Sequence, residues 1–182
     1  MGKCNQCKCL SIESATLPNY QTEMGGIKLV LSKSVIEEKC NDCGEVTYTI
    51  PNTKGLIAAA AIFRATMPIK LNGVEIRFLR KALDHSSKSL AEILGVTVET
   101  MSRWENNKAP ISDVCEKLLR ASACLGLQER APLISFYYKK IFDMKIKSVR
   151  PCTELVMAFT LVKTKNKGDD KLEDVYVESK AA

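Results

Sequence analysis

Five of the eight cysteines lie within the first 43 residues, and four of them form two pairs of identical spacing, Cys4-x2-Cys7 and Cys40-x2-Cys43. Two intervening residues let both thiolates of a pair reach one ion from a tight turn. Gly44, directly after the second pair, leaves the backbone free to fold its amides toward the sulfurs. Two such knuckles supply four thiolates in tetrahedral array, the donor set of a closed structural zinc site. The expected ligands are therefore Cys4, Cys7, Cys40 and Cys43 around one Zn2+. The same donor set suits a mononuclear iron redox site, whose colour would separate the two. The pairs stand 32 residues apart, longer than the ~15–20 of compact zinc modules, and a two-strand excursion would fill that gap. Cys9 is a spare thiol beside the first pair that could substitute as a ligand, and it reads as a bystander. Cys115, Cys124 and Cys152 sit in apolar settings as small hydrophobes, and the single histidine, His85, reads as a solvated turn residue.

A second constellation lies in SLAEILGVTVETMSRWEN, residues 89–106. A short helix carrying the small Ala91 meets a turn at Gly95-Val96, and a second helix opens at Thr97. Val96, Val98 and Met101 fill the joint, as a helix-turn-helix requires. The second helix is then free to enter a DNA major groove with Glu99, Thr100 and Arg103 toward base edges, where arginine can grip guanine with two hydrogen bonds. Lys88, Ser89 and Lys108 flank this motif and are expected on phosphate, with Thr97 between the two groups.

Other chemistry is poorly served. The chain has 182 residues, 46% apolar, with 27 basic and 21 acidic groups. That is compatible with a polyanionic partner without demanding one. No nucleophile–base pair and no phosphate-cradling glycine loop occurs, so no enzyme is expected. The runs LIAAAAIF (56–63) and LVMAFTLV (155–162) fall short of the ~20 residues of a membrane span. No signal-like stretch opens the chain. A cytoplasmic setting with reduced thiols is the expectation, and clustered cysteines there favour metal over disulfides.

The elements that must position these groups can be placed coarsely. Residues 28–38 and 45–50 are rich in Val, Ile and Thr and abut cysteines, which predicts strands. The Ala-rich stretch from Lys54 to Ala65 predicts a helix ended by Met67-Pro68. Asn72 with Glu75, and Ser89 with Glu92, have capping-box spacing, and Thr97 and Ser112 are further N-cap candidates. Ile134, Tyr137, Tyr138, Ile141 and Phe142 share a helical face, predicting an amphipathic helix over 129–143. Residues 154–164 and 172–178 predict a β-hairpin about Asn166-Lys167-Gly168-Asp169.

Two family resemblances are carried by these residues. Ile76-Arg77-Phe78-Leu79-Arg80, Leu90-Ala91-Glu92, Gly95-Val96-Thr97, Met101-Ser102-Arg103-Trp104-Glu105 and Lys108-Ala109-Pro110-Ile111 resemble the XRE/Cro-repressor-like helix-turn-helix family over residues 72–126. That resemblance implies an ion pair between Arg80 and Glu105. The order of CNQC, Gly25-Gly26-Ile27-Lys28, CNDCGE and the helix-turn-helix pattern resembles the MqsA (YgiT-type) antitoxins over residues 1–126. It implies a zinc-binding end that engages a toxin and a dimer that binds DNA.

The expected fold class is α+β and multidomain. A small β-rich four-cysteine zinc domain (1–52) is followed by a linker helix (53–71) and an all-α XRE-type domain (72–126). A C-terminal extension (127–182), with a helix and a β-hairpin, is a candidate dimerisation element. The expected function is a zinc-containing, sequence-specific transcriptional repressor that binds a palindromic operator in double-stranded DNA as a homodimer. The alternatives are an antitoxin that neutralises a toxin protein and autoregulates its operon, and a four-cysteine iron redox protein.

Overall fold

The computed structural model describes residues 3–147, 155–165 and 172–179. The chain opens with strands β1 (Ile12–Met24), β2 (Ile27–Cys40) and β3 (Val46–Thr49). Helices α1 (Thr53–Thr66), α2 (Gly73–Ala82), α3 (Ser87–Ile93), α4 (Val98–Glu105) and α5 (Asp113–Leu127) follow. A 3-10 turn at Gln128–Arg130 and the short α6 (Tyr138–Phe142) lead to β4 (Val156–Lys165) and β5 (Leu172–Glu178).

β1 and β2 form an antiparallel hairpin from Met24↔Ile27 to Ile12↔Cys40. Its two-residue turn is Gly25-Gly26, both at positive φ (60° and 83°), as a turn matched to strand twist demands. The ladder slips once, between Leu17 and Asn19. Pro18 stands there without an amide to donate, and Lys33 opposite adopts φ 49°, so β2 carries an extra residue as a bulge.

That bulge is where β2 changes partners on its other edge. Before it, Lys28–Ser32 pairs in parallel with Val156–Thr160 of β4. After it, Ile36–Lys39 pairs antiparallel with β3. Ser34 sits between the two ladders, buried, donating to the Ser32 carbonyl and accepting the Leu161 amide at 2.8 Å. β5 completes the sheet antiparallel to β4. The described strands thus form one five-stranded mixed sheet in the order β1-β2-β4-β5, with β3 beside β2.

The expected arrangement of a separate zinc unit, a linker helix, an all-α domain and an extension is corrected by this sheet. Strands from both ends of the chain share it, because the edge of β2 before the bulge has no other strand to satisfy its amides. Nor is α1 a linker. Its Leu56, Ala58–Ile62 and Ala65 are buried, and small alanines let neighbours close in on it. Phe63 meets Phe159 of β4 edge-on at 5.9 Å. Asn52, its N-cap, donates to the Asp174 carbonyl of β5, and the Tyr176 hydroxyl donates to the Pro51 carbonyl at 2.7 Å. One continuous apolar cluster runs from Ile27, Leu29 and Leu31 through α1 and the other helices to Phe159 and Tyr176.

Buried ion pairs lock the helices to α1. Arg64 reaches both carboxylate oxygens of Glu75 on α2, at 2.7 and 3.0 Å. Arg120 on α5 pairs with Glu116 and donates to the Ala65, Met67 and Ile69 carbonyls. Both guanidiniums are fully buried, so their carboxylates and carbonyls must supply what water would.

Local capping explains why the short helices stand. Asn72 and Glu75 form the expected capping box on α2, and Thr97 and Ser112 cap α4 and α5. On α3 the cap is Ser86, which accepts the Ser89 amide, so the box expected from Ser89 and Glu92 does not form. The expected helix over 129–143 is also corrected: it is broken between Arg130 and Tyr138, where Pro132 has no amide to donate into a helix. The expected hairpin strands pair as β4 and β5; their connecting residues 166–169, like Cys152, lie outside the described residues.

Candidate functional site

The β1–β2 hairpin fills the long gap between the cysteine pairs and folds it back on itself. Because Ile12 pairs with Cys40, the knuckle preceding β1 is set beside the knuckle following β2. Each knuckle closes on its own backbone. The Lys8 amide donates to the Cys4 carbonyl at 3.0 Å, and the Gly44 amide to the Cys40 carbonyl at 3.0 Å. The Sγ atoms of Cys4, Cys7, Cys40 and Cys43 all lie within 4.8 Å of one another. Cys4 and Cys40 are buried, and Cys7 and Cys43 are exposed. Four convergent thiols with no histidine or carboxylate among them form a donor set that can hold one soft or borderline metal ion.

The thiols share protons unequally. The Cys43 amide, followed by the neighbouring Cys9 thiol, pulls Cys40 down to about 6. The amides of Cys7 and Gln6 lower Cys4. The Glu45 amide lowers Cys43, but local desolvation within the cluster and the thiols of Cys40, Cys7 and Cys4 outweigh it and push Cys43 up to about 12. Burial pushes the remote Cys124 up to about 12 as well, which fits an inert core residue.

Cys9, expected as a bystander with ligand substitution as the alternative, lies against the cluster. Lys8 adopts φ 61°, which turns the chain so that the Cys9 carbonyl accepts the Cys4 amide at 2.9 Å. The Cys9 thiol, half-buried, lies 3.1 Å from Cys40 Sγ. Its spacing in CNQCKC was the available signal: a thiol two residues past a knuckle can return to it.

The second group of expected site residues lies on α3 and α4. The α3 C-terminus closes with paired backbone bonds, Gly95 to Glu92 and Val96 to Ala91, with Gly95 left-handed at φ 66°. This is a Schellman motif. The same motif ends α4, with Asn107 donating to Trp104 and Lys108 to Arg103. Met101, Trp104 and Glu105 anchor α4 in the core. Its opposite face presents Glu99, Ser102, Arg103 and Asn106 to solvent, with Thr100 half-buried. Lys88 and Lys108 are exposed at either end. Thr97 is occupied as the α4 cap, accepting the Thr100 amide. The Ser89 hydroxyl lies 3.3 Å from His85 Nδ1.

Arg80 and Glu105 meet in the interior between α2 and α4, at 2.5 Å (Nε–Oε1) and 3.1 Å (Nη2–Oε2). Arg80 also donates to the His85 carbonyl, fixing the turn that leads into α3. Arg77, a residue not singled out from the sequence as part of this site, adds bonds to the Glu105 carboxylate and carbonyl and to Asn106. The i, i+3 spacing of Arg77 and Arg80 was the signal for that second arginine.

Among the described residues, no helix is long and apolar enough to cross a membrane. No curated protein and no solved structure matches the chain. A protein-family model does match, over residues 2–123; it describes the antitoxin component of a bacterial toxin-antitoxin system, MqsA.

Proposed function

Because the chain belongs to the MqsA antitoxin family, we propose that it is a zinc-stabilised antitoxin that also reads DNA, repressing transcription from its own operator. Zinc is the ion best suited to Cys4, Cys7, Cys40 and Cys43, since four thiolates with no open position make a closed structural site. The ion joins two knuckles at one end of the hairpin and so braces the strands that would face a toxin. The chain acts through these surfaces as a binder, with no catalytic step.

The observation that carries the DNA reading is the division of α4. Its buried face is held by Trp104 and by Glu105 on Arg80. Its polar stripe of Glu99, Ser102, Arg103 and Asn106 is left exposed at the helix that follows the α3 turn. In this reading Glu99, Thr100 and Arg103 meet base edges, while Lys88, Ser89 and Lys108 meet phosphate. Thr97 contributes by holding the N-terminus of α4 in register. One such module has a small footprint, so a homodimer on a palindromic site, with half-sites ~34 Å apart, supplies the rest of the affinity.

Selection of binding sites from random duplex DNA by the full chain tests this reading. A palindrome should be enriched, with light scattering of the complex at the mass of two chains on one duplex. Failure to enrich any sequence would remove the repressor function. Co-purification with the product of a small neighbouring toxin gene tests the antitoxin function separately.

A further inference from the structure

The cysteine end of the molecule holds five thiols where a tetrahedral ion needs four. Cys4, Cys7, Cys40 and Cys43 form the mutually close set. Cys9 stands outside that set and yet lies against one of its members. Cys9 Sγ is 3.1 Å from Cys40 Sγ, whereas Cys7–Cys40 is 3.5 Å and Cys4–Cys43 is 3.6 Å. The contact is built into the backbone. Lys8 takes a left-handed conformation, and the Cys4 amide is bonded to the Cys9 carbonyl, which holds Cys9 against the site. Cys7 and Cys43 are more exposed but belong to the ligand set; of the remaining close pair, Cys9 is half-buried and Cys40 buried, so Cys9 is the thiol outside the ligand set that solvent oxidants can reach.

We propose that Cys9 is an oxidation site, the peroxide-reactive partner of Cys40, and that forming the Cys9–Cys40 disulfide removes Cys40 from the metal-binding set. The inference rests on the zinc assignment above and adds a way to undo it. Hydrogen peroxide is the oxidant. The Cys9 sulfur attacks one peroxide oxygen, the O–O bond breaks, and Cys9 becomes a sulfenic acid as one water leaves. The Cys40 thiolate then attacks the Cys9 sulfur and expels hydroxide, which takes up a proton to become the second water. Two sulfurs together lose two electrons, and one peroxide is reduced to two waters. Three thiolates, Cys4, Cys7 and Cys43, then remain in the set, and the two knuckles are tied by the disulfide in place of the ion. A dithiol reductant reverses the bond and regenerates the four-thiolate set.

The geometry distinguishes this from general cysteine oxidation. Cys124 is fully buried in the helical core, and Cys115 is half-buried on α5 with its thiol toward the Leu94 carbonyl. Neither has a thiol partner among the described residues.

The test uses the zinc-loaded full chain treated with hydrogen peroxide. Zinc release is followed with a chromophoric chelator, and disulfides are mapped by peptide mass spectrometry. Zinc content is measured before oxidation, so a failed metal assignment shows itself independently of the disulfide map. Wild-type protein should lose its zinc as the Cys9–Cys40 link appears, and should rebind zinc after reduction. Cys9→Ser keeps the four ligands and should load zinc normally but release it about tenfold more slowly or worse, since the first thiol to be oxidised is gone. Cys115→Ser should behave as wild type. Equal release rates for Cys9→Ser and wild type, or a map that links Cys40 to another cysteine, would overturn the proposal.

Discussion

The Gly73 amide donates to Asn107 Oδ1 at 2.7 Å, tying the first residue of α2 to the turn that ends α4. The two backbones approach so closely that a Cβ on Gly73 would lie 2.4 Å from the Glu105 carbonyl oxygen. Rigid backbone is the obstacle, so no side-chain rotation relieves it. Gly73→Ala should destabilise the protein by ~1–3 kcal/mol, the cost of an overpacked interior, and should displace α4. Urea denaturation measures the first effect, and an unchanged midpoint would contradict the close approach.

Glu105 anchors α4 from the same side. Removing Glu105 leaves Arg80 with an uncompensated, largely buried charge, and Glu105→Ala should cost ~3–5 kcal/mol. Replacing both residues with apolar side chains should cost much less than the two single changes added together. A double-mutant cycle by chemical denaturation gives the coupling. Additive single effects would show that the pair is not coupled.

The metal centre makes a sharper forecast. Cys40→Ser should abolish zinc binding and loosen β1, β2 and their knuckles, because the ion supplies folding free energy to the segment that holds it. X-ray absorption on the wild-type protein should give four sulfurs at about 2.3 Å. Since thiols must lose protons to bind, zinc affinity should fall steadily on acidification. Elemental analysis showing undiminished zinc in Cys40→Ser would end the assignment.

On α3 and α4 the residues should separate by kind. Arg103→Ala should cost ~1–3 kcal/mol at one base position and relax preference there. Lys88→Ala and Lys108→Ala should weaken all sequences alike and flatten the salt dependence. Thr97→Ala should act through stability instead, by ~1 kcal/mol, as its hydroxyl is spent on the α4 cap. Competition binding with specific and random duplexes, alongside thermal melts, sorts these outcomes. Equal losses on both duplexes for Arg103→Ala would remove it from base recognition.

How much of this was legible in the sequence depended on the distance over which each feature acts. Both knuckles and the caps at Asn72, Thr97 and Ser112 are decided within three or four residues, and they could be read directly. The periodicity of Ile134, Tyr137, Tyr138, Ile141 and Phe142 suggested one helix, but only Ile134 and Ile141 are buried and Pro132 interrupts the path. β1 was hidden by its polar composition and by Pro18, tolerated here at a bulge in an edge strand. The pairing of β2 with β4 was illegible for a different reason: residues 28–32 meet 156–160 through no local signal. Cys9 shows the same limit, since its neighbour Cys40 is 31 positions away.

The union of β2 with β4 also has a bearing on how the protein is made. Ser34 receives the Leu161 amide across 127 positions of chain, so β2 emerges from a ribosome long before its parallel partner exists. The hairpin and the second knuckle can close once some forty residues are free, and a captured ion would hold them in register during that wait. The edge of β2 from Lys28 to Ser32 nevertheless stays open until residues 156–160 have been synthesised. Non-local parallel pairing is intrinsically slow, and an unpaired strand edge invites other chains. A nascent copy is therefore exposed to aggregation and to proteases at this edge until β4 arrives.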